Sequence, residues 1–217
     1  MGITASTKST TKREPIPAGN YIARCYRMIH LGTTYDDRYE KDINRVRITW
    51  ELPTETKVFN EEKGEQPLVI DKEYTRSLHE KANLRKDLES WRGKGFTDKE
   101  AQGFDITVLI DKYCMLNIIH NTANNGNIYA SIGSIAAVPR GMELPAGHNE
   151  AVIFDYENNF SMEFVNSLPD FIREPIQSST EWKDRLNELE GAEQEKHMKA
   201  ILDEPGTMEE QTDGLPF

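Results

Sequence analysis

Long apolar runs are missing from this sequence. No stretch approaches the roughly 20 consecutive apolar residues that a bilayer-spanning helix requires, so no membrane association is expected. Residues 1–13 are rich in Thr, Ser and Lys and lack the apolar core of a secretory signal, so no leader is expected and a cytoplasmic location is. Cysteine is scarce: Cys25 and Cys114 both fall inside apolar, strand-like runs and read as reduced core thiols rather than a disulfide framework. There is no C-x-x-C, and His30, His79, His120, His148 and His197 show no ligand spacing, so neither a metal nor a cofactor is expected. Arg92-Gly93-Lys94-Gly95 lacks the G-x-x-x-x-G-K-[ST] frame of a phosphate loop and reads as a helix stop. No Ser/His/Asp set can be picked from spacing, and most carboxylates lie in loops and tail, which leaves a two-metal nuclease site unsupported. Enzymatic chemistry is therefore not expected.

What the sequence does have is charge, unevenly spread. The 217 residues carry a net charge of -11. Residues 1–140 hold 21 Lys and Arg against 19 Asp and Glu, or +2; residues 141–217 hold 5 against 18, or -13. That is the distribution of a binding domain followed by an acidic tail. A near-neutral domain can still carry a local basic groove.

Hydrophobic periodicity predicts strands over residues 21–29, 43–52 and 68–75, with Pro53 ending the second and residues 54–67 forming a loop. Residues 79–92 carry Leu84, Leu88 and Trp91 at helical spacing and stop at Gly93. Thr97-Asp98-Lys99-Glu100 matches a capping box, predicting a second short helix that ends at Gly103. Strand character returns over 104–119, a hairpin turn falls at Asn124-Asn125-Gly126-Asn127, and a last strand covers 128–138. Three strands, a helix and two strands is the order of the OB-fold, a five-stranded, partly open barrel that binds oligonucleotides and oligosaccharides. The fold expected is mainly β with helices: residues 16–140 as the OB-fold nucleic-acid-binding domain, 1–15 as a disordered N-terminus, 141–190 as a partly helical extension broken by Pro169 and Pro175, and 191–217 as a disordered acidic tail.

Strand alternation then sorts side chains by face. Ala23 and Cys25 point inward, leaving Arg24 and Tyr26 outside; Val46 and Ile48 share one face, Arg45 and Arg47 the other. Lys72, Tyr74 and Arg76 fall together on the third strand, Lys112 and Tyr113 on the fourth, Tyr129 on the fifth. Cations that follow phosphates, interleaved with rings that stack on unpaired bases, are what single-strand binding requires, each stacked base contributing about 1–3 kcal/mol. Trp50 belongs to this candidate set, although its place on the Val46–Ile48 face suits the core better.

The chain ends Met208-Glu209-Glu210-Gln211-Thr212-Asp213-Gly214-Leu215-Pro216-Phe217. An acidic stretch running into a terminal Pro-Phe is a plug for a partner: ring into an apolar pocket, carboxylates onto surrounding Lys and Arg. These ten residues resemble the acidic tip of bacterial single-stranded DNA-binding proteins, with Asp213, Leu215, Pro216 and Phe217 as the partner hook, while Thr212 and Gly214 depart from that tip's run of aspartates. Residues 74–88, with Cys114-Met115-Leu116-Asn117, also resemble a phage replication and recombination accessory family. The resemblance implies a non-enzymatic OB-fold protein in a bacterial host cell that coats single-stranded DNA and recruits replication, recombination or repair enzymes through the tip, its tail competing with DNA for the groove. The competing reading is a phage protein-interaction or structural adaptor without DNA binding. Self-association and DNA-versus-RNA preference stay open.

Overall fold

The computed structural model describes residues 14–202, and side chains as far as 196. Almost all of the 1–15 segment, and the tip with Asp213, Leu215, Pro216 and Phe217, lie outside the described residues.

The described chain is mainly β: a curled antiparallel sheet of five strands with helices packed around it. The strands are β1 (Gly19–Asp36), β2 (Lys41–Asn60), β3 (Gly64–Thr75), β4 (Tyr113–Thr122) and β5 (Ile128–Ala136), in the order β3-β2-β1-β4-β5. β3 and β5, the two ends of this order, come close to each other and curl the sheet into a half-barrel. Helix α1 (Asn83–Arg92) lies between β3 and β4 in sequence, and buries Leu84, Leu88 and Trp91 against the open side of the curl. Its turn at Gly93 takes φ +66°, where a glycine costs no steric strain. Helix α2 (Asp98–Gln102) follows, with the Thr97–Glu100 capping box formed in both directions. This arrangement is compatible with an OB-like fold.

β1 organises the molecule because it bends. Its first half pairs with β4, Gly19↔Ile118 through Arg24↔Tyr113, and its second half pairs with β2 out to Asp36↔Lys41. Register shifts fall between Cys25 and Arg27 and between His30 and Gly32. An extra residue in one strand reverses which face the following side chains occupy. Ala23 and Cys25 face the main core, and after the first shift it is Met28 that faces it, while Ile29 and Leu31 enter a second core on the opposite side.

That second core is built by the chain after residue 141. Strand β6 (Val152–Phe154) pairs in parallel with β1 at Arg27, Met28 and Ile29, on the edge that β4 has left free. Helices α3 (Met162–Ser167), α4 (Asp170–Ser178) and α5 (Thr180–Leu202) follow. Phe154, Tyr156, Val165, Ile172, Ile176 and Trp182 pack with Ile29 and Leu31. Pro169 precedes α4 and Pro175 sits within it, so the second proline does not break the helix as expected. Helix α5 continues through Gly191, so the chain is helical where a disordered tail was expected to start.

Several strand boundaries also differ from the sequence reading, β1 for instance running on to Asp36 instead of stopping at 29. β2 runs through Pro53 to Asn60, because the pairing with β3 jumps from Leu52 to Thr56 there and a proline fits at such a bulge. Residues 54–67, read as a loop, form the far end of a β2–β3 hairpin turned by Glu61–Lys63. Conversely, β4 starts at Tyr113, since Ile106–Leu109 is a 3₁₀ turn.

Candidate nucleic-acid interface

The residues expected to line a groove do not share one open face. Three of the rings are buried. Trp50 is fully buried and lies 5.8 Å from Trp91, ring centre to ring centre. Tyr74 is a core residue: it pairs across the sheet with Val46, and its hydroxyl donates to Asp87 Oδ2 at 2.8 Å. Burial, then the neighbouring Asp87 carboxylate, raises its pKa. Tyr26 is buried as well.

The third strand was read in the wrong phase. Lys72 stands opposite the inward-facing Ile48, so it follows Tyr74 toward α1 and pairs with Asp87 at 2.7 Å. The outer face of β2 and β3 instead alternates Arg45, Arg47, Thr49 and Glu51 with Thr75, Glu73, Asp71 and Val69. Arg47 sits between Asp71, at 2.5 Å, and Glu73, with its guanidinium 5.0 Å from the ring centre of Phe171 on α4. Arg45 pairs with Asp36. Each cation of this face is matched by a carboxylate, and a phosphate would have to displace that carboxylate first.

Arg24 is held more firmly still. Its Nε lies 2.8 Å from Glu51 Oε1, an ion pair without hydrogen-bond alignment, and its Nη1 lies 3.1 Å from Asp111. Glu51 is fully buried, and accepts from the backbone amides of His148 (3.0 Å) and Asn149 (2.8 Å) and from Asn149 Nδ2 (2.6 Å). Arg24 donates in turn to the Asn149 carbonyl, and Tyr113 donates to the Pro145 carbonyl at 2.6 Å. The link between sheet and helices is thereby fastened across the outside of β1, β2 and β4. Gly147 fits only because it has no side chain: a Cβ there would stand 2.2 Å from Arg24 Cζ.

A second fastening joins α5 to the β1–β2 hairpin. Glu181 accepts from the Thr33 amide (2.6 Å), the Thr33 hydroxyl (2.7 Å) and Asn44 Nδ2 (2.7 Å). With Asn44 Nδ2 donating, its Oδ1 accepts from His30 Nε2 at 3.0 Å. Burial works against the charge on Glu181, but the two Thr33 donors hold its pKa below the ordinary value. Burial, then the charge of Arg76, lowers the pKa of His30.

Of the candidate residues, Arg76, Lys112 and Tyr129 are exposed. Other open aromatics were missed by the sequence reading: Tyr35 and Tyr39 at the β1–β2 tip, with Lys41 Nζ 5.9 Å from the Tyr39 ring centre, and Phe59 on the β2–β3 hairpin. The signal for them lay in ring-bearing residues beside Arg38, Lys41 and Lys57, between the strands predicted over 21–29 and 43–52 and in the loop predicted over 54–67. Among the described residues, no three His, Cys, Asp or Glu side chains stand close enough to hold a metal ion, and no helix is long and apolar enough to cross a membrane. Compared with known proteins, the chain matches no family model and no curated protein.

Proposed function

We propose that this chain is an OB-fold protein with a helical C-terminal extension that binds single-stranded DNA without altering it, and that it serves phage replication or recombination by recruiting partner enzymes through Asp213, Leu215, Pro216 and Phe217. The observation that carries the reading is the strand order β3-β2-β1-β4-β5 with a helix between β3 and β4, an order compatible with the small barrels that bind oligonucleotides. Contacts would come from the exposed rings Tyr35, Tyr39, Phe59 and Tyr129, together with Arg38, Lys41, Arg76 and Lys112. Ring stacking tolerates any base, and it does not need the arginines that Asp36, Asp71 and Glu73 already occupy.

The test is a fluorescence-anisotropy titration with labelled oligo(dT), repeated with matched RNA and duplex. Saturable binding of oligo(dT), with duplex much weaker, is the expected result; no binding at low salt excludes the reading. The adaptor reading draws on one specific observation, the neutralisation of Arg24, Arg45, Arg47 and Lys72 by carboxylates. It predicts no oligonucleotide binding.

A further inference from the structure

An open cleft of about 690 Å³ lies where the sheet, the α1–β4 connection and the C-terminal extension meet. Its size falls within the roughly 300–1,000 Å³ of small-ligand sites. Met28, Val46, Phe104, Ile106 and Ile153 give it apolar walls contributed by all three parts. His30, Arg76, Asp155 and Glu181 also line it, with the amides of Gln102 and Asn158.

The charges select what could enter. Asp105, Asp155, Glu157 and Glu181 outnumber Arg76, so a phosphate would be repelled from the interior. An alkylammonium, with three N–H donors to satisfy, would find few open acceptor sites on Asp155 and Glu181. The Asp155 carboxylate already accepts from the amides of Glu157, Asn158 and Asn159 and from Asn159 Nδ2. Glu181 accepts three donors, which leaves one of its four lone-pair sites for a single N–H. Arg76 is exposed, its own amide is tied to the Asn44 carbonyl at 2.8 Å, and among the described residues no carboxylate pairs with its guanidinium. A flat heterocycle with an amino group, whose phosphate stays outside beside Arg76, matches this arrangement.

We propose that the cleft takes one extruded base of the bound strand, and that it favours bases with an exocyclic amino group (cytosine, adenine or guanine) over thymine. The inference rests on the single-strand-binding reading and adds a base preference to it. The base would replace water between the apolar walls, and its amino group would donate to Glu181 or to the side-chain carbonyls of Gln102 and Asn158.

Anisotropy titrations of the full chain with equal-length oligo(dC) and oligo(dT) test this. Oligo(dC) is expected to bind roughly tenfold more tightly, the effect of one hydrogen bond to a charged group. Gln102→Trp, and separately Asn158→Trp, place a ring in the mouth from exposed positions. Each should lower oligo(dC) affinity about to the oligo(dT) level, with a much smaller effect on oligo(dT). Equal affinities in the unaltered protein, or a preference that survives both tryptophans, would overturn the base site while single-strand binding stands. Failure to bind either oligomer overturns both.

Discussion

Glu51 carries a carboxylate to a place with no solvent contact, and it is kept there by three amide donors and Arg24. Removing one member of a buried ion pair costs about 3–5 kcal/mol, because the other is left uncompensated. Glu51→Ala should therefore lower the urea midpoint sharply, while Glu73→Ala, at a more exposed pair, should cost only about 0–1 kcal/mol and barely move it. His30 predicts a pH dependence. Its folded pKa is depressed below 6.5, so the unfolded chain takes up the proton first as pH falls. Stability is full above pH 6.5 and declines below it, until the folded imidazole also protonates. Glu181, likewise depressed, acts in the same direction but only below its ordinary value of 4.5. Urea midpoints at about pH 7.5 and 5.5 should differ, and His30→Gln should shrink that difference.

At the scale of elements, the link through Gly147 joins two cores that share β1. Gly147→Ala puts a methyl carbon 2.2 Å from Arg24 Cζ. Either the guanidinium or the link must move, and overpacking of this kind costs about 1–3 kcal/mol. Thermal unfolding of the variant should show that loss, and Arg24→Ala should not be additive with it, since both act on one contact. What could be read locally was read correctly: the Thr97–Glu100 capping box, the Leu84–Leu88–Trp91 face and the turn at 124–127 each depend on residues a few positions apart. Pro53 misled because a proline ends a strand unless a bulge excuses its missing donor, and that bulge exists only in the pairing with β3. Tyr26 and Tyr74 misled for a related reason. One inserted residue in β1 reverses its faces, and the phase of β3 is set by the strand beside it.

For the whole molecule, the uneven charge of domain and tail predicts how binding responds to conditions. Affinity for oligo(dT) should fall as salt rises, with a log–log slope of about 0.7 per phosphate neutralised; a flat profile would mean that stacking alone holds the strand. A chain lacking residues 208–217 should bind as tightly as the full chain or more so, because competing anions are gone. Weaker binding after that truncation would count against a tail that competes with DNA.

The sequence by itself determined the strand-and-helix order, the apolar stripe of α1, the reduced state of two core cysteines and the acidic end, since each is a property of neighbours along the chain. Only the tertiary structure decided which cations are free. Asp71 and Glu73 meet Arg47, and Asp87 meets Lys72, across strand and helix contacts whose register no single segment encodes. A charge on a strand is a binding group or half of an ion pair according to what folding sets opposite it.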